Sequence, residues 1–555
     1  MAKYTIGVDF GTLSGRALLI DCATGKEMAE SVFEYPHGVM DRALPDGTRL
    51  GVDWALQHPG DYIDTLCHTV REVIEISGVA ASDIIGIATD FTACTLIPVK
   101  EDGTPLCMLE AYKSEPNAYV KLWKHHAAQD EANRLNAIAG ERGEGWLKNY
   151  GGKISSEWAV PKIWQVLNEA PEIYDAADKF VEAADWIVWQ LCGSESRNSC
   201  TAGYKEIYNK TTGYPSIDFF RALDPKLENI LSKLGEIITP LGTKVGVITK
   251  EMAEKTGLKE GVAVAAGNVD AHVCVPAVGI DGPGKMLAIM GTSTCHMIMS
   301  TEEKQVPGMC GVVADGIMPG FYGYEAGQSC VGDHFSWFIE NCLPASYYNA
   351  AKAAGTGIHQ YLEGRAREKK PGESGLLALD WWNGNRSVLV DVDLTGMIIG
   401  CTLLTQPEDI YRALIEATAY GTKVIVDNYR DNGVEVNEFY ASGGISQKNP
   451  LMMQIYADVL DMPVKIASAT HGPAYGSAIF AAVAAGKAAG GYDNVAEAAR
   501  AIGAASNEVY LPISGNADTY KKLFTEYLAL HDYFGRGEND VMKRLKSLQL
   551  EVTSG

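Results

Sequence analysis

The chain has 555 residues, 46% of them hydrophobic, and its 47 Lys and Arg against 70 Asp and Glu leave a net charge of −23. That length exceeds a single core and predicts roughly two to four domains, while the apolar fraction excludes wholesale disorder. The acidic balance argues against nucleic acid or an anionic membrane as partner, so any anionic ligand must be met by donors concentrated in loops.

The twelve cysteines are scattered, with no C-x-x-C pair and no Cys/His cluster at zinc spacing. The chain opens directly on a strand pattern, without a basic-then-apolar leader, and no apolar run approaches the ~20 residues of a membrane span. The expectation is a reduced, cytoplasmic protein.

The first stretch, Tyr4–Ile20, is two short apolar runs joined by Gly11-Thr12-Leu13-Ser14-Gly15. Both runs are too short and too aliphatic for helices and read as a hairpin. Its turn has what a polyphosphate needs. Glycines let backbone N–H groups approach phosphate oxygens, the hydroxyls of Thr12 and Ser14 add donors, and Arg16 adds fixed charge. Asp9 is suited to holding a hydrated magnesium ion. Alone, the stretch also fits an ordinary hairpin with a glycine turn.

Glu27–Phe33 reads as a third strand, and His58–Ser77 as a helix, with apolar residues at helical spacing. Ile84–Thr95 is a buried strand that ends in Asp90 and hydroxyls. Helix followed by buried strand predicts parallel pairing, with ligands beyond the strand's carboxyl end. A helix is expected over Asn117–Ala139, placing Trp123, Lys124, His125 and His126 on a solvated face. Trp158–Asn168 and Ala184–Leu191 read as further helices. Gly193–Asn209 reads as a polar loop carrying Lys205, and Pro240–Lys250 as turns. The first domain is expected to close near Gly261, giving domains 1–260 and 261–555.

A strand over Val262–His272 is expected to end in the acid Asp270. Then the opening pattern recurs: Met286–Met299 is again strand, Gly291-Thr292-Ser293 turn, strand. Two such hairpins, one near the start of each half, form an internal duplication. Each half is expected to be a mixed sheet flanked by helices, facing its partner across a cleft. Gly320–Ser329 supplies Glu325 before another helix, and Pro407–Tyr429 is a strong amphipathic helix. Strand, Gly443-Gly444, helix through Leu460 lets the backbone lie close to a flat ring. Gly472-Pro473 and Gly476 lead into another helix, and Thr519–Tyr533 is an amphipath.

In this order the elements resemble the FGGY carbohydrate kinases of the actin-like ATPase superfamily. The carrying stretches are Asp90-Phe91-Thr92-Ala93-Cys94-Thr95, Leu122-Trp123-Lys124, Ser155-Ser156-Glu157-Trp158, Ala202-Gly203-Tyr204-Lys205, Ile289–Cys295, Glu325-Ala326-Gly327-Gln328-Ser329 and Ala441–Ile445. They echo the branch of that family that phosphorylates L-ribulose; the arginine-glutamate pair of the glycerol kinases is replaced here by Phe91-Thr92-Ala93.

The resemblance implies an α/β fold of two actin-like (ribonuclease H-like) ATPase domains with the active site between them, ATP and Mg2+ as cofactors, and a small sugar as substrate. It implies that Asp9 organises magnesium, that Gly11, Thr12, Ser14 and Arg16 hold phosphates, and that Gly291, Thr292 and Ser293 grip them from the other domain. Gly443, Gly444 and Asn449 would line the adenosine site, and Gly332 and Ser336 match further nucleotide positions. Asp270 falls on the catalytic base, and Ala93, Lys205, Asp270 and Glu325 would line the sugar pocket. D-ribulose, ribitol and xylulose are alternative substrates, and a nucleotide-gated binding protein like actin is an alternative class. Assembly into a homo-oligomer stays open.

Overall fold

The computed structural model describes residues 2–554. The first sheet is built from strands β1 (Tyr4–Phe10), β2 (Ser14–Asp21), β3 (Glu27–Glu34), β4 (Ile84–Phe91), β5 (Lys244–Val247), β6 (Ala263–Ala265) and β7 (Asn268–Val269). Its order is β5-β6-β4-β1-β2-β3, with β7 also paired to β4. β1 runs antiparallel to β2 and parallel to β4. Helix α1 (Pro59–Ser77) covers one face because Tyr62, Leu66, Val70 and Val73 recur at helical spacing and bury against Ile6, Val8 and Leu19. It starts at a proline, with the preceding His58 side chain accepting from Gly60 N–H, and it stops at Gly78, whose φ of 66° a side chain would resist.

The second sheet holds β8 (Gly284–Met290), β9 (Thr294–Ser300), β10 (Gly311–Ala314), β11 (Tyr322–Gln328), β12 (Val436–Ser442), β13 (Val464–Ala467) and β14 (Ala505–Tyr510). The order is β10-β11-β9-β8-β12-β13-β14. β8 is antiparallel to β9 and parallel to β12, as β1 is to β2 and β4. The duplication is thus one of topology as well as of turn sequence.

Several helices position the site. They are α2 (Ala159–Glu169), α3 (Ser199–Lys205), α4 (Asp270–Ala277), α5 (Gly332–Cys342), α6 (Pro407–Asp431), α7 (Gly444–Lys448), α8 (Pro450–Leu460), α9 (Gly472–Ala485), α10 (Ser514–Gly535) and α11 (Val541–Ser554). α9 comes late in the chain yet packs on the first sheet. A Cβ on Gly7 would lie 1.9 Å from the Ala474 carbonyl oxygen, and one on Gly86 2.4 Å from that of Ala481. Those glycines, facing an alanine-rich helix, let backbone meet backbone. α4 crosses α9 where Gly476 abuts Val273, so the two lobes are joined through this pair of helices.

Four expectations change. The helix expected over Asn117–Ala139 forms only from Gln129 to Arg142. Ahead of it a short strand, Val120–Lys121, and turns bury His125, whose Nε2 lies 2.8 Å from the Gln165 Oε1. The tertiary contact overrides the local helical pattern. The expected loop around Lys205 is helix α3, capped by Asn198, whose side chain accepts from Thr201 N–H. The turn-rich 240–250 stretch contains β5. The expected strand over 262–272 is split into β6 and β7, and Asp270 opens α4 instead of ending a strand. Both strands of that split belong to the first sheet, and the second begins at Gly284.

Candidate active site

Both hairpins turn at a Gly-Thr pair, the second in a loop one residue shorter than the first. Gly11 N–H donates to the Ser14 carbonyl at 3.0 Å, and Gly291 N–H to that of Ser293 at 2.9 Å. Thr12 is fixed from two sides, its carbonyl by Gln57 Nε2 (2.8 Å) and its hydroxyl by Trp123 Nε1 (3.1 Å). Arg16 sits opposite Asp9 across the hairpin, and its buried Nε finds no protein acceptor. The second hairpin rests on the start of α5: Gly332 N–H donates to Gly291 O (3.0 Å) and Val331 N–H to Thr292 O (2.8 Å). Gly332 is needed there, since a Cβ would come within 2.7 Å of Gly291 O.

Three carboxylates collect where parallel strands end. Asp9 registers with Asp90, and Asp90 with Asn268 just ahead of Asp270. The three acids therefore line the carboxyl edge of β1, β4 and β7, the edge where open α/β sheets take ligands. Asp90 is fully buried; Ser477 on α9 donates to its Oδ2 at 2.6 Å, while Oδ1 has no partner. Burial, then the neighbouring Asp9, pushes Asp270 up to about 7. Burial raises Asp9 to about 6, opposed by the facing Asp90 side chain and by Arg16. Asp90 is driven well above the carboxylate range, first by burial and then by Asp9. Crowded, desolvated acids with an orphan oxygen suit a divalent cation, which would favour their ionised forms.

The expected sugar residues also converge, and from both lobes. Lys205 at the end of α3 donates to Glu325 Oε2 on β11 at 3.2 Å. Their side chains are 6% and 4% exposed. Burial opposes both charges, yet the pairing prevails: Lys205 is raised above its usual value, and Glu325 falls to about 2 with help from Arg386 and His272. Asp270 feels both charges of the pair. Ala93 is half-buried in the turn after β4, where Lys162 on α2 donates to Cys94 O (2.6 Å) and Leu122 O (2.8 Å). That one buried ammonium ties the turn to the segment bearing Trp123.

Gly443 and Gly444 form the turn between β12 and α7. Gly443 has φ 99°, and a Cβ there would strike Met290 O at 2.3 Å, so the turn lies against the end of the second hairpin. Asn449 is buried with its Oδ1 accepting from Met452 N–H (3.0 Å) at the start of α8, leaving only its amide NH2 for a ligand. Ser336 is exposed on α5, one turn past Gly332.

Four neighbours of the site were missed or misjudged in the sequence. Trp123 is the residue that fixes Thr12, and its place on an apparent helical face hid it. Ser477, which holds Asp90, lies 387 residues away in sequence. His272 packs its ring 4.5 Å from that of Tyr204, with its Nε2 3.7 Å from Glu325. Arg386 donates to Glu325 Oε1 at 2.7 Å from an irregular loop with no recognisable pattern. Among these, only His272, two residues past Asp270, carried a positional signal.

Comparison with known proteins agrees with this geometry. Residues 4–276 match the N-terminal domain of the FGGY family of carbohydrate kinases, and residues 286–485 its C-terminal domain. Proteins named ribulokinase are 60% identical in Geobacillus thermodenitrificans and 59% in Anoxybacillus flavithermus, each over 98% of this chain and 97% of the relative. The solved xylulose kinase of Rhodospirillum rubrum shares the fold at a TM-score of 0.77 and 22% identity, over 95% of this chain and 98% of that one. The two mixed sheets, their matching hairpins and the shared cleft are accordingly those of a phosphotransferase acting on carbohydrate: the chain belongs to the FGGY family of carbohydrate kinases.

Proposed function

We propose that the protein transfers the γ-phosphoryl group of ATP to the terminal hydroxyl of L-ribulose, giving L-ribulose 5-phosphate and ADP. The observation that carries this reading is the buried Lys205–Glu325 pair, supplied by both lobes, beside Asp270 at the sheet edge. The high identity to proteins named ribulokinase supports the same sugar class. Lys205 donates to a carbonyl or hydroxyl oxygen, and Glu325 and Asp270 accept from hydroxyls. Small Ala93 leaves room for a five-carbon chain. A missing or inverted hydroxyl would leave one of these groups unpaired, costing about 1–3 kcal/mol.

The sugar oxygen attacks the γ-phosphorus as the bond to the β–γ bridging oxygen breaks, and its proton passes late to Asp270. Gly11, Thr12, Ser14 and Arg16 hold phosphate from one lobe, and Gly291, Thr292 and Ser293 from the other. Gly332, Gly443, Gly444 and Asn449 border the nucleoside, with Ser336 at its outer rim. Asp9 is the carboxylate for magnesium, with the orphan oxygen of Asp90 beside it. When bound, the ion neutralises phosphate charge as the γ-phosphoryl moves. The lobes divide between Val269, where the first sheet's last strand ends, and Gly284, where the second sheet begins, and closure across the cleft would keep water from competing as acceptor. The cytoplasm, which supplies ATP and keeps thiols reduced, is the compartment this activity requires. The test is kcat/KM for L-ribulose, D-ribulose, D-xylulose and glycerol. L-Ribulose should lead; a win for D-xylulose or glycerol overturns the substrate.

A further inference from the structure

Glu325 is held asymmetrically. Oε2 faces Lys205 at 3.2 Å and His272 at 3.7 Å, both sealed in the interior. Oε1 is held by Arg386 Nη2 at 2.7 Å. Arg386 is 38% exposed, against 6% for Lys205, so it is the member of the cluster that reaches solvent. A second constraint on Arg386 is steric. The guanidinium lies over Gly327, two residues along β11, where a Cβ would come within 2.9 Å of its Cδ and 3.2 Å of its Nη1. The backbone beside Arg386 is pinned as well: Gly327 N–H donates to Ser387 Oγ at 3.2 Å, and Asn385 exchanges backbone hydrogen bonds with Asp391. A strand position without a side chain thus makes the berth, and the loop delivers the cation into it.

We propose that Arg386 is a positioning residue for sugar recognition: it fixes the Glu325 carboxylate in the rotamer that accepts hydroxyl protons of a neutral polyhydroxylated ketose. Without it, Glu325 has only Lys205 and His272 on one side, and its second oxygen is free to swing. Among the described residues, Nη2 is the Arg386 nitrogen with a protein acceptor, while Nε and Nη1 lie over Gly327. The flat guanidinium fits over a strand position without a side chain; a lysine can replace the charge but not the planar geometry. The inference rests on the reading that Glu325 contacts the sugar, and the variants below separate the two.

The experiment is steady-state kinetics with L-ribulose and Mg-ATP on Arg386→Met, Arg386→Lys, Gly327→Ala, Glu325→Gln and the Arg386→Met/Glu325→Gln double variant. Arg386→Met should raise KM for ribulose about tenfold, with KM for ATP and kcat within about threefold, since one charge-assisted hydrogen bond is lost from ground-state binding. Arg386→Lys should recover part of that loss. Gly327→Ala, which keeps the arginine but fills its berth, should reproduce the direction of the effect. In the double variant, removing Arg386 should add less than about twofold to the Glu325→Gln defect, because residues acting as a unit are non-additive. An unchanged ribulose KM in Arg386→Met, equal losses for ATP and ribulose, or full multiplication in the double variant each overturns the proposal. An unchanged ribulose KM in Glu325→Gln overturns instead the reading of the sugar pocket beneath it.

Discussion

The two hairpins share a strand topology and a Gly-Thr turn but carry different side chains. Ile289 stands two residues before its Gly-Thr pair, as Asp9 does, and Cys295 faces it across the hairpin as Arg16 faces Asp9. Burial pushes the Cys295 thiol up to about 11, so it is neutral. Asp9 registers with the acid Asp90, whereas Ile289 registers with Ser442. The first hairpin therefore carries the charge, and the second offers only backbone N–H groups and hydroxyls. A duplicated turn can hold phosphate from both sides, but the transferred group needs acids on one side only. The duplication kept the topology and dropped the charge where it had no task.

The largest effect should fall on the charged side. Asp270→Asn keeps shape and hydrogen bonding but removes the proton acceptor, so kcat should drop by about 10²–10⁴. Calorimetric affinities for ribulose and ATP should stay within a few-fold. A kcat near that of the parent would falsify the assignment of Asp270.

Next comes a direct contrast between the hairpins. Under the proposed phosphate assignment, Arg16→Ala would remove a charged contact worth roughly 1.5–3 kcal/mol and should raise KM for ATP by one to two decades. Thr292→Val removes a neutral one of about 1 kcal/mol and should raise it about fivefold. Both should leave ribulose affinity unchanged. Equal penalties, or loss of ribulose binding in either variant, would break the division of labour just drawn.

That division was half readable in advance. The glycine turns and the strand-end acids are local signals, because a turn and a short strand are specified by a handful of neighbouring residues. They point to the hairpins, a parallel pairing at β4, and Asp9 and Asp90 at strand ends; Asp270, expected at the end of a strand, opens α4 instead. Lys205 was expected in a solvated loop because a lone lysine carries no sign of its partner; Glu325 lies 120 residues on. Trp123 and His125 sit in a stretch with helical spacing that contacts with Thr12 and Gln165 pull into turns. Arg386 and Ser477 act through contacts that only the assembled lobes create, and no local pattern announces either.

A pH experiment sharpens the contrast without mutating the turn. Asp9 and Asp270 are raised to about 6 and about 7 by burial first, above the roughly 4 of an unfolded aspartate. Between these values the folded state binds more protons than the unfolded one, so stability must fall as pH rises. The metal-free, nucleotide-free protein should lose Tm between about pH 5 and 7.5. Asp9→Asn and Asp270→Asn should each flatten that slope, whereas Ile289→Val, at the matching place in the second hairpin, should not. Excess magnesium should restore Tm chiefly at the upper end, where the acids are ionised and bind it. Parallel slopes in all four proteins would mean the acids are not coupled to folding.

The smallest effect belongs to the second lobe's support. In the first lobe, the turn bearing Ala93 is tied down by Lys162, an ammonium with no exposure that donates to two carbonyls. In the second, the loop bearing Arg386 is braced from α11 by surface pairs. Lys543 meets Asp391 at 2.6 Å, and Lys546 meets Asp393 at 2.9 Å and the Val392 carbonyl at 3.0 Å. Exposed pairs are worth about 0–1 kcal/mol and weaken with salt. Lys543→Ala/Lys546→Ala should therefore raise the ribulose KM by no more than about threefold, and the difference from the parent should shrink between 50 mM and 500 mM salt as screening removes the same contacts from both. Lys162→Met leaves the buried Cys94 carbonyl without a donor and the Leu122 carbonyl with His125 N–H alone, and should cost about 1–3 kcal/mol of stability with no such salt dependence. If the lysine pair instead costs a decade in ribulose KM at every salt concentration, the loop is held by more than charge, and the C-terminal helix is part of the sugar site's framework rather than a brace on its edge.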